Sequence, residues 1–345
     1  MHKHWRMVSV YSASHFVIDF ACAFLMFRSI SQSPDWYICV LIYNFCAFAM
    51  QMPLGIIADK LNRNSIFAGV GCILVAAAYG LTSLPLAATI VVGLGNGMFH
   101  IGGGVDVLNI SEKKSSALGV YVSPGAFGIY FGTILGRGSS QTALPIIVAL
   151  LAAAAFVFAV RRSEGATYAD NATFSLQAAP WVFIAAVCMF LVVCLRSFVG
   201  LAVSFPWKSA GYWGLALVCA SAFGKIIGGF LSDGIGPVRA AAYSLGFAAL
   251  LFIIPQIPVA GVAAILLFNM SMPITLWATA KLFPGAKGFS FGLLTFALFL
   301  GFVPVHLGIA APLWLFAPAA AISLALIICG LTRNPSNVEC RRISN

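Results

Sequence analysis

His15 and Asp19 lie four residues apart, and with Ser12 they form a single stripe if the segment is helical. An Asp–His pair in a wet cavity can carry a proton, because imidazole exchanges protons near neutral pH. Asn96 and His100 repeat the four-residue spacing, and Gly102, Gly103 and Gly104 follow after Ile101. Glycines let another backbone or a ligand approach closely, and three in succession are expected to make this helix locally irregular. Arg196 has no acidic residue within four positions. Its partner must therefore come from another helix or from a ligand, and a guanidinium suits bidentate capture of an anionic group. An ion pair with Asp19 is the alternative. Asn269 and Thr275 form a further polar pair. Each of these has a plainer reading as interhelix hydrogen bonding or packing. Lys225 is expected to snorkel to the interface and His306 to sit near a helix end.

The elements that must position these groups follow from composition. The chain has 345 residues, 61% hydrophobic and only 8% charged, whereas a soluble chain carries roughly 25% charged residues. So few charges cannot cover a water-facing surface of this size, so the bilayer is the expected solvent. Apolar segments of spanning length recur at about 8–28, 35–58, 65–84, 86–109, 115–136, 141–161, 179–204, 211–231, 237–254, 256–279, 287–309 and 310–331. The first contains His15 and Asp19, which argues against a cleaved signal peptide and for a first spanning helix. The nine Cys contain no C-x-x-C pair and fall mostly in apolar runs, where they read as small filler.

Twelve helices with the N-terminus inside make a prediction about charge. Of nineteen Lys and Arg, only Arg28, Arg137 and Lys208 fall in external segments, and Arg196 and Lys225 fall inside helices. The other fourteen fall in cytoplasmic segments. This positive-inside bias predicts an inner-membrane, multi-pass protein with both termini cytoplasmic. It also accounts for the net charge of +10 without nucleic acid. The expected fold class is an all-α membrane protein of about twelve transmembrane helices in two pseudo-symmetric six-helix halves. The halves are 1–162 and 179–345, the second ending in a short cytoplasmic tail, with a cytoplasmic linker over 163–178.

A repeat supports the two halves. Gly55-Ile56-Ile57-Ala58-Asp59-Lys60-Leu61-Asn62-Arg63 closes the second segment, and Gly229-Phe230-Leu231-Ser232-Asp233-Gly234-Ile235-Gly236 closes the eighth. Ala117-Leu118-Gly119 and Ser290-Phe291-Gly292 match at nearly the same offset. Two matches at one offset, in equivalent loops, indicate duplication. Here the chain resembles the major facilitator superfamily, whose loop between helices 2 and 3 reads G-x-x-x-D-R/K-x-G-R-R/K. Gly55, Asp59, Lys60 and Arg63 fill their positions, while Asn62 and Asn64 replace a glycine and a basic residue. The resemblance implies a conformational latch of Asp59, Arg63 and Asp106, with Gly55, Lys60 and the second-copy Asp233 in the same machinery. It also implies that helices 1, 4, 7 and 10 line a central path, where the strongest buried polar groups fall. The run Phe99-His100-Ile101 is also similar to the Phe-His-Pro of fosmidomycin-resistance-type exporters, with Ile101 in place of proline.

The expected function is secondary active transport of a small organic, anionic or amphipathic solute by alternating access, coupled to protons. Its substrate and proton pathway would be His15, Asp19, Asn96, His100, Arg196 and Asn269. The chain shows no G-x-S-x-G, H-E-x-x-H or Walker A motif and only short loops. No enzyme activity, cofactor or resident metal is therefore expected, and the partners are solute, protons and lipid around a monomer. One alternative is a divalent transition-metal exporter using His15, Asp19, His100 and Cys22. Another is a receptor or scaffold of the same fold that does not transport.

Overall fold

The protein is seen in a computed structural model that describes residues 2–111, 114–138, 142–164, 174–176 and 179–332. Of the linker expected over 163–178, residues 165–173 and 177–178 lie outside the described residues, as does the tail beyond 332. Helices occupy all twelve expected segments, and no strand occurs among the described residues. They are α1 (His2–Arg28), α2 (Trp36–Leu61), α3 (Asn64–Leu81), α4 (Pro85–Ile110), α5 (Ser116–Gly138), α6 (Leu144–Glu164), α7 (Pro180–Ala202), α8 (Trp213–Ile235), α9 (Pro237–Leu251), α10 (Pro258–Leu282), α11 (Lys287–His306) and α12 (Leu313–Thr332). Ten spans are long and apolar enough to cross a bilayer, and Leu144–Val160 and Pro237–Leu251 are shorter apolar helices. The outer faces carry fully apolar side chains such as Phe156, Phe183 and Ile253, each more than 60% exposed. In water such a surface would drive association, whereas in a bilayer it is contact with solvent.

Local chemistry sets the helix ends. Pro85, Pro180, Pro237 and Pro258 open α4, α7, α9 and α10. There the missing N–H costs nothing and the fixed φ suits the helix. Asn62 ends α2 at φ +49, and Gly236 separates α8 from α9 at φ +88. These are equivalent positions of the duplicated loop. The left-handed conformation suits glycine and is tolerated by asparagine, which explains how Asn62 stands where the superfamily pattern has glycine. The glycine run in α4 behaves differently from expectation: the helix continues unbroken through Gly102–Gly104. Its neighbours supply the reason, since a Cβ at Gly102 would lie 2.3 Å from the Asn64 carbonyl and one at Gly103 2.8 Å from the Tyr121 hydroxyl.

The chain forms two compact units. The first comprises Met1–Glu112, Val120–Phe174 and Lys287–Phe296; the second comprises Lys113–Gly119, Ser175–Ala286 and Ala297–Asn345. In the first, α1 packs on α4, α5 and α6, α3 packs on α4 and α6, and α2 packs on α4. In the second, α7 packs on α10 and α12, α9 packs on α10 and α12, and α8 packs on α10. Advancing each helix number by six converts most of the first set of pairs into the second.

Candidate functional site

In the first unit α1 and α5 lie in close apposition. Gly128, Gly132 and Gly136 form a stripe on α5, and a Cβ at each would fall 2.4–2.9 Å from the carbonyl oxygens of Phe16, Phe20 and Phe24. Just before this stripe, α5 bends at Ser123–Pro124. Proline has no N–H and cannot bond the carbonyl four residues back, which belongs to Val120. Carbonyls in the last turn before the bend are therefore free for other donors. Ser12 Oγ donates to the Val120 carbonyl (3.3 Å), and His15 Nδ1 donates to the Tyr121 carbonyl (2.9 Å). The proline bend thus holds the α1 polar stripe in place.

His15, Asp19 and His100 meet in this region, with Asn96 alongside. His15 Nε2 lies 3.1 Å from Asp19 Oδ2, and His100 Nε2 lies 3.7 Å from Asp19 Oδ1. The two Nε2 atoms are 2.8 Å apart. Asn96 Nδ2 donates to Asp19 Oδ1 at 3.0 Å and approaches Cys22 Sγ at 3.4 Å. None of the four is more than 8% exposed. A Cβ at Gly125 would sit 2.3 Å from Asp19 Oδ2 and 2.4 Å from His15 Nε2, so only glycine leaves room for the pair.

Hydrogen-bond accounting determines what this cluster demands. His15 Nδ1 faces the Tyr121 carbonyl, and His100 Nδ1 faces the Asn96 carbonyl at 2.8 Å. A carbonyl only accepts, so both Nδ1 atoms carry hydrogen. If both imidazoles were neutral, two Nε2 lone pairs would face each other beside a carboxylate. Such an arrangement repels unless a cation lies between the donors. A single proton shared by the two rings satisfies it and offsets the Asp19 charge.

In the second unit the polar chemistry has the opposite sign. Arg196 of α7 is 8% exposed, and its Nη1 donates to Thr275 Oγ1 of α10 at 3.3 Å. The Thr275 hydroxyl passes its own hydrogen to the Met272 carbonyl. Asp233 is the only carboxylate described in this unit, and it serves elsewhere. Asn269 lies at a break in α10, where Pro273 leaves the Asn269 carbonyl without its helical partner. Its side chain donates to the Ile265 carbonyl (2.9 Å) and accepts from Ser221 Oγ (3.3 Å).

The loop residues form two matching caps. Ala286 precedes α11 and has no side-chain cap to offer. Asp59 of α2 accepts instead from the Gly288 and Phe289 N–H groups at 2.7 and 2.8 Å. Gly55 permits this approach, since its Cβ would lie 2.1 Å from the Gly288 carbonyl. In the second unit Asp233 of α8 accepts from the Ser115 and Ser116 N–H groups at 2.6 and 3.1 Å, at the start of α5. Free N–H groups and the positive helix end favour a carboxylate at both places. Asp106 is buried and accepts from Tyr11 (2.6 Å) and Asn64 (2.9 Å). Lys60 lies over the Phe174 ring, and the Arg63 side chain is exposed.

Sequence reasoning missed Gly125, the Tyr121 carbonyl, and Tyr11 and Asn64 around Asp106. The first two had a signal: Pro124-Gly125 followed by glycines at 128, 132 and 136 marks a bend and a close helix contact.

By sequence, no protein-family model and no curated protein matches the chain. Solved structures do. The fucose:proton symporter FucP of E. coli is similar at 15% identity and TM-score 0.67, over 95% of this chain and 98% of that one. The human organic anion transporter MFSD10 is similar at 15% and 0.70, over 95% and 99%. A bacterial homologue of the iron transporter ferroportin is similar at 11% and 0.62, over 96% and 98%.

Proposed function

From a chain with the fold of major facilitator superfamily transporters, we propose a proton-coupled secondary transporter of a small organic solute. The observation that carries this reading is the buried His15–Asp19–His100 cluster, which requires a cation between its donors. A proton held there while the site faces one side of the membrane, and released on the other, couples solute movement to the proton gradient. Intramembrane ionisable groups are expensive to keep, which is itself a reason to assign them work. FucP, a fucose:proton symporter, is a precedent for coupling in this fold.

Arg196 supports an anionic or amphipathic solute. It is a buried guanidinium with one neutral partner, and an incoming carboxylate or phosphate would satisfy its remaining donors. MFSD10, of similar fold, is an organic anion transporter. Alternating access proceeds by rocking of the two halves about a midplane site. The Asp59 and Asp233 caps serve as a paired latch that forms in one state and parts in the other. The positive-inside bias supports the inner membrane with cytoplasmic termini.

The test is thermal stabilisation of the purified protein in detergent by a panel of organic anions, amphipathic cations and neutral sugars at two pH values. A ligand at a hundred times its Kd should stabilise by about 2.7 kcal/mol. Stabilisation by an anion, lost in Arg196→Ala, is the expected result. Anion stabilisation that survives Arg196→Ala would remove that residue from the site. Reconstituted wild-type protein whose uptake of the ligand ignores an imposed proton gradient would sink the coupling.

A further inference from the structure

We propose that His15, Asp19 and His100 also form a binding site for a divalent first-row transition metal, of the Zn2+, Fe2+ or Co2+ kind, which takes the place of the shared proton. This goes beyond proton coupling, because it names a second occupant for the same three side chains. The donor atoms of the trio lie within 4.8 Å of one another and are buried. Two imidazole nitrogens and one carboxylate are a ligand set that such ions favour over Mg2+ or Ca2+, which prefer all-oxygen sites.

The surroundings are those of a metal site. Metal-bound histidines commonly donate their other ring N–H to a carbonyl or carboxylate, which fixes the tautomer. Both rings do so here, His15 to Tyr121 and His100 to Asn96. Their Nε2 lone pairs are thereby directed at each other and at Asp19. The ring planes stand at 88° with centroids 4.4 Å apart, so two nitrogens reach one point without stacking. Asn96 supplies a second observation. Its Nδ2 is on Asp19, while its Oδ1, on the same amide, is buried without a hydrogen-bond partner. A buried orphan acceptor next to the cluster is an oxygen available to a cation or its bound water. A fourth position open to water or solute is the usual state of a three-ligand site.

The exchange balances simply. The metal ion enters, two N–metal bonds and one O–metal bond form, and the N–H bond of the shared proton breaks. That proton leaves to water, and no oxidant or reductant takes part. The Nε2 atoms, 2.8 Å apart, would need to separate slightly around a metal at about 2.0–2.1 Å from each.

The experiment uses the full chain purified in detergent without a histidine tag. Co2+ titration, followed by its visible absorption, should show one bound ion per protein, displaced by Zn2+. X-ray absorption of the Zn2+-loaded wild type should show two imidazoles and a carboxylate oxygen, a readout that needs no variant. His100→Ala should weaken Co2+ by more than about tenfold, since even an outer partner of a ligand is worth that much. Gly246→Ala, where an added Cβ meets nothing within 4 Å, should bind Co2+ as wild type does. Failure of wild type to bind Co2+ or Zn2+, or a zinc shell without two imidazoles, overturns the site. So does unchanged Co2+ affinity in folded His100→Ala. If such a preparation still took up solute in response to a proton gradient, the transport reading would stand without the metal. Metal bound with no gradient-driven uptake would instead keep the site and discard the coupling.

Discussion

The two halves share a frame and differ in the sign of their buried chemistry. In the first, α1 and α4 bring a carboxylate and two imidazoles together. In the second, the equivalent pair α7 and α10 brings a guanidinium to a hydroxyl. The packing repeats down to single glycines. Gly119 backs onto the Lys225 carbonyl and Gly292 onto the Gln51 carbonyl, in each case with a Cβ gap of 2.4 Å or less. Asp59 and Asp233 repeat as caps. The other acidic residues do not repeat: seven of nine (19, 35, 59, 106, 112, 164 and 170) precede residue 175, leaving 233 and 339. Duplication therefore preserved what packs and caps, while the buried polar groups between the helices diverged. One half buries a carboxylate with two imidazoles, and the other buries a guanidinium.

The sharpest break in this comparison is Asp19→Asn. It removes the negative charge that the cation seat needs while keeping size and shape. Solute uptake driven by a proton gradient in proteoliposomes should be lost, with binding of the solute retained. A variant that still accumulated solute against its gradient would end the distinction between the halves.

Gly125→Ala attacks the same seat through packing. The new methyl collides with His15 and Asp19, so it should cost about 1–3 kcal/mol and abolish coupling. Gly246→Ala, where a Cβ meets nothing within 4 Å, is the control. Equal melting temperatures for the two variants would refute the crowding at Gly125.

On the other side, Arg196→Ala should weaken an anionic solute by about 1.5–3 kcal/mol, the range for hydrogen bonds to charged groups. That is roughly tenfold to a hundredfold in Kd, readable by calorimetry. Arg196→Lys keeps the charge but not the fork, and should recover only part of the loss.

The smallest effects test the shared frame. Asp59→Ala and Asp233→Ala should each cost about 1 kcal/mol, on the scale of a lost helix cap. Matching losses in thermal unfolding would confirm that the caps are equivalent. A large effect at Asp59 with none at Asp233 would mean that the second copy has lost its role.

Much of this was legible from the amino acids. Composition and periodic apolar runs located all twelve helices, because a bilayer tolerates little else. Spacing of four placed His15 with Asp19 and Asn96 with His100 on common helix faces. The repeated Gly-x-x-x-Asp placed Asp59 and Asp233 at matching helix ends, as parts of a latch and not as caps. What could not be read was which helix each face meets. The Pro124 bend that holds His15, the gap at Gly125, and the assignment of Asp59 to the start of α11 all join residues distant along the chain. Sequence spacing is silent on such pairs, because they depend on how helices cross. The expected irregularity at Gly102–Gly104 failed for the same reason: neighbouring backbone and aromatic side chains fill the space that the glycines leave.

By itself, then, the sequence determined the solvent, the number of helices, the duplication and the inventory of buried polar groups, since these follow from composition and local period. Tertiary structure alone decided that two histidines on different helices face each other nitrogen to nitrogen beside one carboxylate. It also decided that the lone arginine is left with a hydroxyl. Those outcomes depend on angstrom-scale approach between helices, and they turn a list of polar residues into two buried clusters of opposite charge.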